Sequence, residues 1–439
     1  MITTQHKDLA HWTVAHALSC GAQQVKLQLY VGGNVCIDMN NGEMERLQQA
    51  SESALLLTLY VDGRCGFYST NRLNRQELEK FISEGVEATR FLGVDEYCVL
   101  PDPSRYYRGE MSGLQTFDET IHKLQPDEKV AMARAAAEEV LGKDSRIVSV
   151  DTSYEDGYSE SYMLISNGFE GESRFTTFSL SASVAVRGMG EARPSEYWFD
   201  SALQFDLLNK TGCGTKALER VLRKLDQQKV ASGNYTMVVD ALNSRRLLTP
   251  MLGALSGQAL YRKNSFLSDS LGKPVGSPLM NLRDEPHTKG SFGARYFDNE
   301  GVATYAHPLF EEGVLRTFYI DTCYAGKLKM QPTVSSPSVL VMKPGQQSLD
   351  QLVADVERGI LVTGFNGGNC SGTTGDFSYG IEGFLIEQGK LKQPVHEMNI
   401  TGQMATLWQS LVAVGNDPRP FSSMRIPSLV FDQVMFSGC

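Results

Sequence analysis

Residues 374–402 read TGDFSYGIEGFLIEQGKLKQPVHEMNITG. Phe384 and Ile386 recur at the two-residue period of a half-buried strand. Gly389 supplies the positive φ that a tight hairpin turn needs. Pro394 has no backbone donor, so the returning strand is expected to lie at a sheet edge or to end there. The stretch therefore predicts a hairpin in an antiparallel sheet.

Working outward, the rest of the second half carries the same signature. A strand is expected at residues 235–239, followed by a helix for which Thr249 is the candidate N-cap and Pro250 the candidate first residue. Leu252, Leu255 and Ala259 give that helix its apolar face. Beyond it, Phe297-Asp298-Asn299-Glu300-Gly301, Glu312-Gly313 and Gln388-Gly389 mark reversals between short strands, and one more helix is expected at 349–358. Many short strands with glycine turns suggest a curled, barrel-like antiparallel sheet.

The first half mixes helices and strands. A helix is expected at 7–20 with Gly21 as its stop. A strand follows through Val25, Leu27, Leu29 and Val31, with turns at Gly32-Gly33-Asn34 and Asn40-Asn41-Gly42. Another strand runs from Leu55 to Val61 and returns after Asp62-Gly63. Asn74 and Glu77 resemble a capping box opening a helix to about Phe91. Residues 101–118 read as an irregular connector, and Pro126 starts a helix that Gly142 ends. Strands are expected at 146–153, 161–166 and 174–187, and a helix at 215–227. The class is α+β: an N-terminal domain over 1–230 with an antiparallel meander and flanking helices, and a predominantly β domain over 231–439.

Composition narrows the function. The 439 residues are 41% hydrophobic and 21% charged, as in ordinary globular proteins. A net charge of −10 argues against a nucleic-acid binder, which needs a basic stripe. No apolar run reaches membrane-spanning length and no secretory leader is evident, so a cytoplasmic protein is expected. The eight cysteines at 20, 36, 65, 98, 213, 323, 370 and 439 lack CxxC spacing and read as reduced thiols.

Few clusters suggest chemistry. His11 and His16 stand five apart on a helix and point to different faces. Asp284, Glu285 and His287 surround Pro286 in what reads as a solvated turn. His396 and Glu397 are neighbours on a strand and face opposite ways. Gly368-Asn369-Cys370-Ser371-Gly372 has the form of a nucleophile elbow, with His396 as the conceivable base, but the residues after it cannot open a long helix.

The exact strings carry more than the periodicity. TGDFS, GFLIEQGK, PV and ITG, in that order, resemble the C-terminal signature of the TldD/PmbA family, once called modulators of DNA gyrase. The resemblance extends through Asn41-Gly42-Glu43-Met44-Glu45, Gly66-Phe67-Tyr68-Ser69-Thr70, Leu100-Pro101-Asp102-Pro103, Ser265-Phe266-Leu267, Phe297–Gly301, Glu312–Leu315 and Val414–Asp417. It implies a cytoplasmic zinc metallopeptidase acting on unfolded or small peptides, such as modified-peptide precursors or labile antitoxins. In TldD-type members a helix carries HExxxH and a later cysteine completes the site; two histidines and a thiolate suit tetrahedral zinc, with the glutamate as general base. Aligned on Leu247-Leu248, the matching positions are Thr249, Pro250 and Ala254, and residues 418–427 contain no cysteine. The resemblance is thus to the TldE/PmbA-like branch: a non-catalytic subunit without metal, partnered with a zinc-bearing TldD-like subunit, or a homodimer when isolated. The alternative expectation is a homodimeric binding or structural protein.

Overall fold

The computed structural model describes every residue except Phe421 and Cys439. The N-terminal part opens with helix α1 (Thr4–Ser19), whose first turn is closed by the Thr3 hydroxyl accepting from the His6 amide. Three strands follow: β1 (Gln24–Asn40), β2 (Glu43–Val61) and β3 (Arg64–Thr70). Helix α2 (Arg75–Thr89) is capped by Asn74, which accepts from Glu77 N at 2.9 Å. Helix α3 (Pro126–Glu138), strands β4 (Ile147–Ile165), β5 (Phe169–Val186) and β6 (Ser195–Ala202), and helix α4 (Cys213–Arg223) complete this part.

The six strands form one antiparallel sheet in the order β3-β2-β1-β4-β5-β6. Odd-numbered residues of β1 face the helices along its whole length. Val25, Leu27 and Leu29 pack with α1 and α2, and Ile37 and Met39 with α3 and α4. Two cores therefore lie end to end on one face of one long sheet.

Two sequence expectations fail here, for physical reasons. Gly32-Gly33-Asn34 is not a turn: β1 continues straight through it, paired with β2 and β4 on both sides. The glycines make room for aromatic rings instead. A Cβ on Gly33 would lie 2.9 Å from the Tyr158 ring across the strand, and one on Gly32 would lie 2.4 Å from the Tyr30 hydroxyl. Likewise the strands expected at 146–153 and 161–166 are one strand, β4. The intervening polar run hid it because Asp156 is buried, held by Lys129 Nζ at 2.6 Å and the Tyr154 hydroxyl at 3.0 Å.

In the C-terminal part, strand β7 (Gly233–Val239) pairs in parallel with the strand Arg358–Phe365, which pairs with Asp376–Glu387, then Lys390–Gln403, then Leu429–Ser437, which returns to β7. The five strands close a barrel. The opening hairpin is present as expected, with Gln388 and Gly389 both at positive φ. The Pro394 expectation holds only locally. Lys390–Gln403 runs on past it, but residues 390–397 are not paired with Leu429–Ser437, and the Pro394 carbonyl accepts from Gln228 N at 2.9 Å.

Helix α5 (Arg245–Ala254) lies against the barrel core. Its start is five residues earlier than expected, so Thr249 is neither cap nor first turn and Pro250 lies inside the helix. Leu247, Leu248, Met251, Ala254 and Leu255 are each at most 2% exposed, and Trp408 donates its indole N–H to the Leu247 carbonyl at 3.3 Å. Burial worth roughly 2 kcal/mol per large side chain offsets an interior proline that costs a helix about 3 kcal/mol. The helix expected to run on through Ala259 breaks off and resumes as a short helix at Gly257–Tyr261 capped by Ser256, and short helices at Thr322–Leu328 and Met404–Gln409, unmarked in the sequence, also line this part. The helix expected at 349–358 ends at Ala354. The seven described thiols are all free; Cys439 lies outside the described residues. No helix among the described residues is long and apolar enough to cross a membrane.

Candidate functional site

The amphipathicity of α5 builds a cleft. With Leu247, Leu248, Met251 and Ala254 turned inward, Arg245, Arg246 and Thr249 are left on the outer side. Strand Met424–Arg425, paired in parallel with Leu340–Met342, brings Ser422 and Ser423 to the same place. Tyr197 of β6 and Phe365 at the end of a barrel strand close the sides. The resulting cleft has a volume of about 560 Å³. It unites residues more than 200 positions apart in sequence, including Thr249 and the segment where the resemblance places a cysteine.

The donor set does not suit a zinc ion. The Thr249 hydroxyl is committed to the Arg245 carbonyl at 2.9 Å. Pro250 offers no ligating side chain. Ala254 is on the core side and 2% exposed, so it does not share the outer face with Thr249. The charges that reach the cleft are guanidinium groups, which repel a cation. Among the described residues no group of three or more His, Cys, Asp or Glu side chains is placed to hold a metal ion.

The remaining candidates stay apart. His11 Nε2 meets the Tyr162 hydroxyl at 3.0 Å, while His16 stacks on Trp12. Asp284 is not in a solvated turn: it is 1% exposed at the end of strand Leu282–Asp284, accepting from Ser338 N, Val339 N and the Tyr319 hydroxyl. Its neighbours do differ from it, with Glu285 paired to Arg283 at 2.7 Å and His287 exposed. Burial raises the Asp284 carboxyl above the ordinary range, and the hydrogen bonds pull against it. Glu397 pairs with Lys229 at 2.9 Å. Cys370 sits in the short strand Asn369–Cys370, and burial, aided by Asp376, pushes its thiol up, away from the thiolate a nucleophile needs. Its Sγ approaches the Ser371 carbonyl at 3.7 Å, with no bond to His396. A larger groove of about 1020 Å³ between the N-terminal sheet and residues 293–299 has charged walls already engaged: Arg174 with Glu119 and Glu160, Arg295 with Ser336 and Ser338.

Sequence reasoning missed Arg245 and Arg246. The available signal was two adjacent arginines in the first turn of a helix, with no acidic residue beside them, at the end where the helix dipole disfavours cations.

Comparisons with known proteins place the chain. Family models described as PmbA/TldA metallopeptidase domain 1, central domain and C-terminal domain match residues 34–89, 119–225 and 232–438. The metalloprotease PmbA of Escherichia coli O157:H7 is 25% identical over 407 residues, covering 92% of this chain and 90% of that protein. A PmbA homologue of Haemophilus influenzae is 27% identical, covering 90% and 88%. The crystal structure of a Bacteroides thetaiotaomicron protein described as a modulator of DNA gyrase is 58% identical, with a TM-score of 0.98 and full coverage of both chains. TldE from Thermococcus kodakarensis, 20% identical, shares the fold at a TM-score of 0.84 over 98% of this chain and 100% of that one. The chain belongs to the PmbA/TldD metallopeptidase family.

Proposed function

We propose that this chain is the non-catalytic, TldE/PmbA-like subunit of a cytoplasmic TldD/TldE-type zinc peptidase, and that a TldD-like partner carrying HExxxH supplies the zinc and the general base. The observation that carries this reading is the cleft beside α5. By the resemblance, Thr249, Pro250 and Ala254 take the positions of the first histidine, the general base and the second histidine; of these Thr249 lines the cleft, whose wall at 422–424 supplies serines and Met424 rather than a thiolate. The rest of the family framework is kept around it, with a division into 1–230 and 231–439. The subunit's contribution is then to shape the chamber and hold an extended peptide of an unfolded or small substrate. The terminal strand β6, whose Tyr197 borders the cleft, offers a sheet edge for main-chain pairing.

The test is to recover the tagged chain from its native cell under non-denaturing conditions and identify what accompanies it by mass spectrometry. A stable complex with an HExxxH-bearing homologue, and peptide hydrolysis by that complex that a chelator abolishes, is the expected result. Recovery of self-associated chain alone contradicts the reading and favours a homodimeric binding protein.

A further inference from the structure

The cleft beside α5 presents positive charge without a balancing carboxylate. The guanidinium of Arg245, exposed on its rim, makes no hydrogen bond or ion pair among the described residues. Arg246 is held ready: its guanidinium lies 4.9 Å from the Tyr379 ring centre and gives one N–H to the Gly368 carbonyl at 3.0 Å. Behind them Arg419 stacks on Trp198 and Phe199 and donates to the Phe199 carbonyl at 2.8 Å, adding a third cation to the neighbourhood.

The nearby acids are turned elsewhere. Asp240 is 7% exposed and accepts from the Asn243 amide and side chain. Asp417 takes the Ser428 amide and hydroxyl. Asp200 lies against Arg419 at 4.0 Å. None of the three lines the cleft. Two cations in the first turn of α5 also oppose the helix dipole, with no acidic residue to offset them. On a chain of net charge −10, such an arrangement is an uncompensated local cost that an anion would relieve.

We propose that this cleft binds the C-terminal carboxylate of a peptide, with Arg245 and Arg246 as its cationic clamp and the Ser423 hydroxyl and Tyr197 of β6 beside it. Guanidinium groups match the planar carboxylate and pay little reorganisation when one is already stacked. The cleft volume of about 560 Å³ admits the last few residues of a chain rather than a folded partner. The inference deepens the reading of the chain as a non-catalytic subunit and rests on it: the place whose side chains do not suit a zinc ion becomes a place that anchors a peptide end.

The experiment is fluorescence anisotropy with the isolated full-length chain and three fluorescein-labelled pentapeptides. One has a free C-terminus, one an amidated C-terminus, and one is amidated with an internal glutamate. The free acid is expected to bind roughly tenfold or more tightly than the amide, the worth of a charge-assisted contact. Added salt should narrow the difference. Arg245→Gln, which breaks no side-chain hydrogen bond or ion pair among the described residues, should erase it, and its melting curve should match that of the parent. Arg246→Gln should reduce it as well. Equal affinity for acid and amide, absence of binding, or a preference that survives Arg245→Gln overturns the proposal. Binding of the internal-glutamate amide as tight as that of the free acid also overturns it, assigning the clamp to side-chain carboxylates. Metal content is a separate readout. Stoichiometric zinc would sink the metal-free reading whatever the peptides do, whereas indifference to the terminal carboxylate would sink this inference alone.

Discussion

Glu300 shows how burial sets a pH dependence. Its carboxylate accepts from the Thr322 amide at 3.0 Å and hydroxyl at 2.9 Å, yet burial dominates and raises its pKa from 4.5 to about 6. The folded state thus keeps a proton that the unfolded chain gives up first. The stability this supplies is fully present below pH 4.5 and is lost as pH rises through about 6, a change of about 2 kcal/mol. Denaturant melts between pH 4.5 and 6.5 should show that decline, and Glu300→Gln should flatten it; an unchanged slope would refute the assignment. Pro250 gives a second residue-scale prediction. Pro250→Ala restores an N–H facing the Arg246 carbonyl and removes a ring clash inside α5. It should raise stability by about 1–2 kcal/mol in a thermal melt, and a lowered melting temperature would mean that the ring packs usefully. At this scale the sequence was legible where caps and turns follow local rules, as at Asn74 and Gly389. It was opaque where tertiary burial decides, as at Asp284, whose partners come from residues 319 and 338–339.

Among elements, β1 and α5 teach the most. Two glycines and an asparagine in β1 carry a strong turn signal, but the ladder on both sides and the ring of Tyr158 override it. A pattern read along one strand contains no term for the side chain on its neighbour. In α5 the Thr-Pro pair mimics a helix start, and only the buried leucines before it show that the helix began earlier. The barrel hairpin, by contrast, was readable because its reversal needs residues at positive φ, and Gly389 marks it. Barrel closure depends on a close approach at Gly383, opposite Val362 in the ladder at a register shift. An added Cβ there would sit 1.8 Å from the Leu361 carbonyl. Gly383→Ala should therefore cost about 1–3 kcal/mol by forcing the strands apart, read by denaturant unfolding; a neutral effect would show that the bulge is compliant.

For the whole molecule, an ion network ties the N-terminal sheet and its helix α4 to the barrel. Lys224 meets Glu196 of β6 and, at 2.6 Å, Glu382 of the barrel, while Arg220 reaches Glu196 at 3.0 Å. Lys224 and Glu196 are 5% and 7% exposed at their side chains, so removing the cation leaves the buried Glu196 carboxylate to Arg220 alone and breaks the tie to Glu382. Lys224→Met should cost about 3 kcal/mol in unfolding followed by tryptophan fluorescence; a loss below about 1 kcal/mol would show the network to be dispensable. The cleft beside α5 lies at this same junction, where β6, the barrel and residues 422–424 meet. The resemblance pointed to this helix through Thr249, Pro250 and Ala254. It could not indicate that arginines and serines line the space, since that depends on which face of α5 the core claims.

The most direct test of the central claim is the metal content of the isolated chain, purified without a partner in the presence of zinc and measured by inductively coupled plasma mass spectrometry. Peptide hydrolysis is followed on the same sample. The account predicts well under one zinc per chain and no hydrolysis above background, with chelator-sensitive activity appearing when an HExxxH-bearing partner is added. The triple variant Thr249→His, Pro250→Glu, Ala254→His should still bind metal weakly and turn over little peptide. It lacks the thiolate, and position 254 faces the core. One tightly held zinc per chain, together with chelator-sensitive hydrolysis by a sample shown by mass spectrometry to contain no partner, would contradict the account.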